Sequence, residues 1–230
     1  DGRQVAWGKV FRTGVLTYLT AADHPQLRAL GIRVICDLRR ADERTREPTR
    51  WPDETARPLS WDDGAAPPTI RTLADKHPYT AAGMRAAMCD LYRALPVWMA
   101  SRLRGMFECA ATNDLPMIVH CAAGKDRTGI AIALLLAALG VPKDLIINDY
   151  LLTNHAGDFE KFIVSRSVSH QPLLELPTDI RAVLFTADAD YLHAALEEID
   201  NKHGGVTTFL RDIVGVGEHM QQQVHSRLLA

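Results

Sequence analysis

The stretch that most constrains the fold is His120-Cys121-Ala122-Ala123-Gly124-Lys125-Asp126-Arg127-Thr128-Gly129. Before it, Leu115-Pro116-Met117-Ile118-Val119-His120 is a short apolar run that starts after a proline, as a buried strand would. After it, Thr128 to Leu139 reads as a helix that stops at Gly140, with Pro142 just beyond. The order is therefore strand, tight loop, helix. Such a loop aims its backbone N–H groups at one spot, where the helix dipole favours an anion. An oxyanion such as phosphate suits that spot. A nucleotide-binding P-loop is excluded, because it needs Gly where Val119 stands and Ser or Thr where Asp126 stands.

Each residue type in the loop has a physical task. The thiolate, not the thiol, is the nucleophile, and a helix N-terminus beside Arg favours an anion, which makes Cys121 a candidate nucleophile. Arg127 can grip two oxygens of a phosphoryl group at once, which Lys cannot do. Ala122, Ala123 and Gly124 are small enough for the backbone to wrap the oxyanion, and the amides from Ala122 to Thr128 would line it. Thr128 could donate its hydroxyl to the sulfur. His120 could orient the loop through a hydrogen bond. Lys125 adds a positive charge that would suit a second phosphate, or it could pair with Asp126 or Asp37. Asp126 is a candidate proton donor or a purely structural carboxylate. An inert core cysteine would account for Cys121 alone, but not for Gly, Lys, Asp, Arg and Thr in the next seven positions.

This stretch resembles the signature loop of the cysteine-dependent protein tyrosine phosphatase superfamily. Its Ala-Gly-Lys-Asp-Arg-Thr-Gly form is most similar to bacterial tyrosine/phosphoinositide phosphatases of the PtpB and LipA type. Phe11-Arg12-Thr13-Gly14, Leu30 to Arg39 and Asp149-Tyr150-Leu151-Leu152-Thr153-Asn154 extend the resemblance over most of the 230 residues. It implies an α/β fold of three layers. A central, mostly parallel sheet is flanked by helices, with a helical lid and a helical C-terminus. It also implies a metal-independent phosphatase without cofactor, acting on phosphoproteins or phosphoinositides.

Composition bounds the alternatives. At 230 residues and 47% apolar content, the chain suits one domain, residues 1 to 230. The longest apolar run, Ile130 to Leu139, is too short to span a membrane. No secretory signal is visible, so a cytoplasmic location is expected, with secretion into a host left open. A net charge of −2 gives no global field for nucleic acid. Cys36, Cys89, Cys109 and Cys121 show no paired spacing and read as reduced thiols, not as a zinc site.

Along the chain, Asp23 to Leu30 reads as a short helix with Asp23 as N-cap. Ile32 to Leu38 reads as a central strand parallel to Met117–Cys121. Asp37 at its end would support the loop from behind or pair with Arg39, with direct chemistry as the alternative. Cys36 fits the core, or a redox partnership with Cys121. Arg40 to Arg57 reads as a charged surface segment. Trp51-Pro52-Asp53 spells a general-acid loop of other tyrosine phosphatases but lies too far upstream. Leu59-Ser60-Trp61-Asp62-Asp63-Gly64 reads as the end of a second strand, and its Asp62 or Asp63 is a better candidate acid, although a solvated turn explains them equally. Ala65 to Thr80 reads as a loop over the site. Ala81 to Thr112 reads as two helices parted at Pro96, apolar at helical spacing, forming core and a candidate lid. Helices are expected over Pro142–Leu152, Asp158–Ser165, Asp188–His203, Val206–Val214 and Glu218–Leu229.

The residues therefore point to phosphoryl transfer through Cys121, with Arg127 holding the phosphate and Asp126 or Asp63 as acid. A phospho-ligand binding module without turnover is the main alternative, and a redox role for Cys121 with Cys36 is a weaker one.

Overall fold

The computed structural model describes residues 2–52, 54–62, 69–157, 161–162 and 175–230. In chain order the elements are β1 (Val10–Thr13), α1 (His24–Ala29), β2 (Val34–Asp37), α2 (Ala41–Arg46), β3 (Arg57–Leu59), α3 (Ile70–Ala74), α4 (Ala81–Trp98) and α5 (Ala100–Ala111). They continue with β4 (Met117–His120), α6 (Asp126–Ala138), α7 (Lys143–Leu151) and a 3-10 turn over Leu152–His155. The C-terminal part comprises α8 (Thr178–Phe185), α9 (Ala189–His203), α10 (Val206–Phe209), a π-helical turn over Leu210–Val214, and α11 (Glu218–Leu228).

The four strands form one sheet in the order β1-β4-β2-β3, every pairing parallel. The fold is α/β, and its two central strands, β4 and β2, are fully buried. Asp37 stands opposite His120 in the β2–β4 register, so both strands deliver their last residues to one end of the sheet. Phosphate-binding loops belong at that end, beyond the strand C-termini.

Strand alternation sorts the core into two parts. Val34, Cys36, Met117 and Val119 face a large core built from α4, α5, α6, α7 and α9. Ile35 and Ile118 face a small cluster of Leu16, Ile32 and Ala56, with Phe11, Leu19 and Trp51 against it. Cys36 is wholly buried in the larger core, and burial pushes its thiol well above the ordinary range.

Several expectations need correction. The helix expected to end at Pro96 runs through it to Trp98 and parts from α5 at Met99. Pro96 lies in the last turn, where it forgoes a single intrahelical bond to Tyr92. The apolar faces of both helices (Met84, Met88, Leu95, Leu103, Met106 and Phe107) are buried in the main core. Within the stretch read as a loop over the site, Thr69 caps the short helix α3 by accepting from the Thr72 amide. Asp23 does not cap α1, because its carboxylate turns back to accept from the Thr20 amide and hydroxyl. The segment read as surface between Arg40 and Arg57 contains α2, which carries a residue into the site. Asp53, Asp63 and most of the helix expected over Asp158–Ser165 lie outside the described residues. Among the described residues no helix is long and apolar enough to cross a membrane.

Candidate active site

The loop from Cys121 to Lys125 joins β4 to α6, and both flanking elements are buried. Gly124 makes the tight turn. Its φ is +72°, and a Cβ there would stand 2.7 Å from the backbone of Thr13 and Gly14. Only glycine meets both demands. The Gly124 amide in turn points at Cys121 Sγ from 3.3 Å. One backbone N–H is thus already aimed at the sulfur.

The loop's carbonyls point away from that amide and are held from behind. The Val15 amide donates to the Ala122 carbonyl at 3.2 Å, and the Leu38 amide to the His120 carbonyl at 2.9 Å. Arg12 donates to the Gly124 carbonyl at 3.4 Å and is itself held by Asp149 at 2.9 Å and by the Thr153 hydroxyl at 2.8 Å. Gly129, in the first turn of α6, lets this frame close. A Cβ there would meet the Tyr150 ring at 2.7 Å.

Arg127 is gripped end-on by Glu43 of α2, Nη1 to Oε2 at 2.6 Å and Nη2 to Oε1 at 2.8 Å. A guanidinium has five N–H groups in a plane. The end-on grip takes two of them and leaves the Nε edge for an oxyanion. Burial alone would raise the Glu43 carboxyl, but the Arg127 hydrogen bonds and charge, helped by Arg40, bring it down to about 2. Burial alone would lower Arg127, but the hydrogen bonds it donates to Glu43 and the nearby negative charges push it further above its already high range. Glu43 also accepts from the Arg40 amide at 2.9 Å, which makes it the third residue of a capping box at the start of α2.

Asp37 and Arg39 fasten α2 to the sheet. Arg39 is completely buried and reaches Asp37 with Nε at 2.9 Å and Nη2 at 2.7 Å. It also donates to the Glu47 carbonyl at 2.6 Å and the Thr49 hydroxyl at 3.0 Å, past the end of α2. Burial would raise Asp37, yet Arg39 and His120 together hold it below the ordinary carboxylate range. His120 Nδ1 donates to the Cys121 carbonyl at 3.2 Å, and Nε2 lies 3.5 Å from Asp37. Burial pushes His120 below the ordinary histidine range despite Asp37.

Of the remaining side chains, Lys125 makes the ion pair with Asp126 that is its alternative role, whereas Thr128 departs from expectation. Lys125 is buried, with its ammonium donating to the Leu184 carbonyl and to the Thr186 carbonyl at 3.5 Å, and lying 3.4 Å from Asp126. Its charge is thus enclosed between α6 and the end of α8 instead of being offered to a second phosphate. The Thr128 hydroxyl is buried and makes no hydrogen bond to any described group, so the expected bond to the sulfur is not formed; the Gly124 amide takes that position. Asp126 accepts from the Tyr92 hydroxyl at 2.8 Å. Asp62 is exposed and paired with Arg44.

Sequence reasoning missed Glu43, Tyr92 and the Arg12–Asp149 pair as parts of the site. Glu43 did carry a signal, a Glu three residues into a helix start. Nothing local in the sequence tells that its partner is Arg127.

Comparison with known proteins places this geometry. The chain is 30% identical to the "Triple specificity protein phosphatase PtpB" of Mycobacterium tuberculosis, over 96% of its own length and 91% of that protein. It is also 30% identical to a tyrosine-protein phosphatase of Nostoc commune, over 94% of its own length and 73% of the other. The profile described as the tyrosine phosphatase family matches residues 1–230. A thiol at the mouth of a strand–loop–helix cradle, an arginine held with one edge open, and a match along the whole chain agree: this chain belongs to the tyrosine phosphatase family.

Proposed function

We propose that the chain hydrolyses phosphotyrosine through a phospho-cysteine intermediate on Cys121. The observation that carries this reading is the pairing of a loop amide aimed at Cys121 Sγ with an Arg127 side chain pre-set by Glu43. In the first step the Cys121 thiolate attacks phosphorus and forms the S–P bond while the P–O bond to the leaving group breaks. Arg127 and the amides from Ala122 to Thr128 hold the three equatorial oxygens. The leaving oxygen takes a proton from Asp126, the candidate acid that sits at the loop among the described residues. In the second step a water oxygen attacks phosphorus and gives its proton back to Asp126, and the S–P bond breaks. Positioning and fixed dipoles supply the stabilisation, so the chemistry needs no metal or other cofactor.

Breadth toward other phosphomonoesters, including phosphoserine, phosphothreonine and phosphoinositides, is part of the proposal. One relative is named for triple specificity. The enclosure of the Lys125 ammonium means that a second phosphate on an inositol ring would have to find a cation elsewhere.

The test is phosphate release from phosphotyrosine peptide, phosphoserine peptide and soluble phosphoinositides in EDTA, for wild type and Cys121→Ser. Turnover in EDTA that disappears in Cys121→Ser supports the reading, and the order of rates sets the substrate class. Phosphopeptide binding with no turnover on any substrate would replace it with a binding module.

A further inference from the structure

A chain of hydroxyl groups stands behind Asp126. The Tyr92 hydroxyl donates to Asp126 Oδ1 at 2.8 Å, and the Tyr150 hydroxyl lies 2.6 Å from that of Tyr92. Since Tyr92 spends its single proton on the carboxylate, the proton between the two phenols must come from Tyr150. The donors therefore run one way, from Tyr150 through Tyr92 to Asp126.

Both rings are fully buried, and burial raises both phenols well above the ordinary range, so both remain donors. Each ring is also fixed by its neighbours. Tyr92 meets Tyr150 edge-on at 6.2 Å and Tyr191 at 5.6 Å between centroids. The segment that follows α8 is tied down beside the loop as well. Asn154 clasps the Ala187 amide and carbonyl, both at 2.8 Å, and Lys125 holds the carbonyls of Leu184 and Thr186.

The two oxygens of Asp126 are thereby made different. Oδ1 faces Tyr92 and the Lys125 ammonium, while Oδ2 takes no hydrogen bond from any described group. We propose that Tyr92 and Tyr150 are positioning residues that pin Asp126 Oδ1, so that Oδ2 is the oxygen carrying the proton to the leaving group. This inference rests on the reading of Asp126 as proton donor.

Leaving groups of different basicity separate this role from plain packing. p-Nitrophenolate departs with little help, whereas the tyrosine phenolate, with a pKa of about 10, depends on the acid. The experiment measures kcat and KM on p-nitrophenyl phosphate and on phosphotyrosine peptide for wild type, Asp126→Asn, Tyr92→Phe and Tyr150→Phe, with the melting temperature of each. In Tyr92→Phe the ratio of kcat on p-nitrophenyl phosphate to kcat on phosphotyrosine should rise about tenfold with KM little changed, as befits one lost charge-assisted bond. Tyr150→Phe should move the ratio in the same direction by less. Asp126→Asn should move it by about a hundredfold. If Asp126→Asn shifts the ratio and neither tyrosine variant does, the positioning role is overturned while the donor reading stands. If Asp126→Asn leaves the ratio unchanged, the donor reading itself fails and the inference with it. Equal losses on both substrates in Tyr92→Phe would also overturn it, and would assign the tyrosine to packing alone.

Discussion

The phosphate loop and α2 contribute to one site in opposite ways. The loop is contiguous: Cys121, Gly124, Asp126, Arg127 and Thr128 fall within eight positions. α2 is a six-residue helix with no buried residue of its own, yet its Glu43 holds the loop's arginine from 84 positions away in the chain. The loop owes its shape to local chemistry, a glycine at positive φ and a helix start. α2 owes its place to long-range ties, above all the buried Arg39 that fastens both Asp37 and the Glu47–Thr49 end of the segment. A phosphatase site is thus part motif and part scaffold, and the two should respond differently to substitution.

The largest expected effect breaks the motif. Gly124→Ala places a Cβ 2.7 Å from the backbone of Thr13 and Gly14 at a φ that alanine avoids. Turnover should fall by about a hundredfold or more, since small misplacements at a reacting centre cost that much, and kinetics together with a melting curve would show it. If Gly124→Ala kept wild-type activity, the loop would not be the rigid cradle described.

Breaking the scaffold comes next. Glu43→Gln takes the charge from one partner of a half-buried bidentate pair and leaves Arg127 charged, at a stability cost of about 1–3 kcal/mol. kcat/KM should drop by roughly tenfold or more as the guanidinium loses its fixed edge, with Cys121 still reactive toward iodoacetamide. The same pair has a pH signature. The Glu43 carboxyl is held at about 2, against an ordinary value of 4.5. Its stabilising contribution is therefore full above about 4.5 and is lost as the pH falls toward about 2. Acid titration of the folded state should show this loss in wild type, and Glu43→Gln should remove it from the profile.

Smaller effects sharpen the comparison. Asp149→Asn loosens Arg12 behind the loop. Because that pair is partly exposed, about 1 kcal/mol and a few-fold loss in kcat are expected. Asp62→Asn breaks only an exposed pair with Arg44, and should change stability by under about 1 kcal/mol and kcat by less than about twofold. A large kcat loss in Asp62→Asn, confined to poor leaving groups, would move the proton donor from Asp126 to Asp62.

How much the sequence reveals follows the same division. The β4–loop–α6 unit is legible because a proline, an apolar run, a Cys-x5-Arg spacing and a glycine stop all lie within one window. β2 is legible from its β-branched run and its Asp37 terminus. Glu43 is not, because its pairing depends on how Arg39 folds α2 against the end of the central strand β2. Pro96 misleads, since a proline in a last helical turn costs little there. Lys125 misleads for another reason. A cation in an anion-binding loop suggests a ligand, but the carbonyls of Leu184 and Thr186 that enclose it are brought there by tertiary packing.

The most direct test of the account is to trap the intermediate. Wild-type protein is mixed with phosphotyrosine peptide in EDTA, quenched in acid within the first turnover, digested and read by mass spectrometry. Phosphate should appear on Cys121, with a burst of tyrosine release that matches it in amount, and both should be absent in Cys121→Ser. Turnover without phosphate on Cys121, or phosphate carried by another residue, would contradict it.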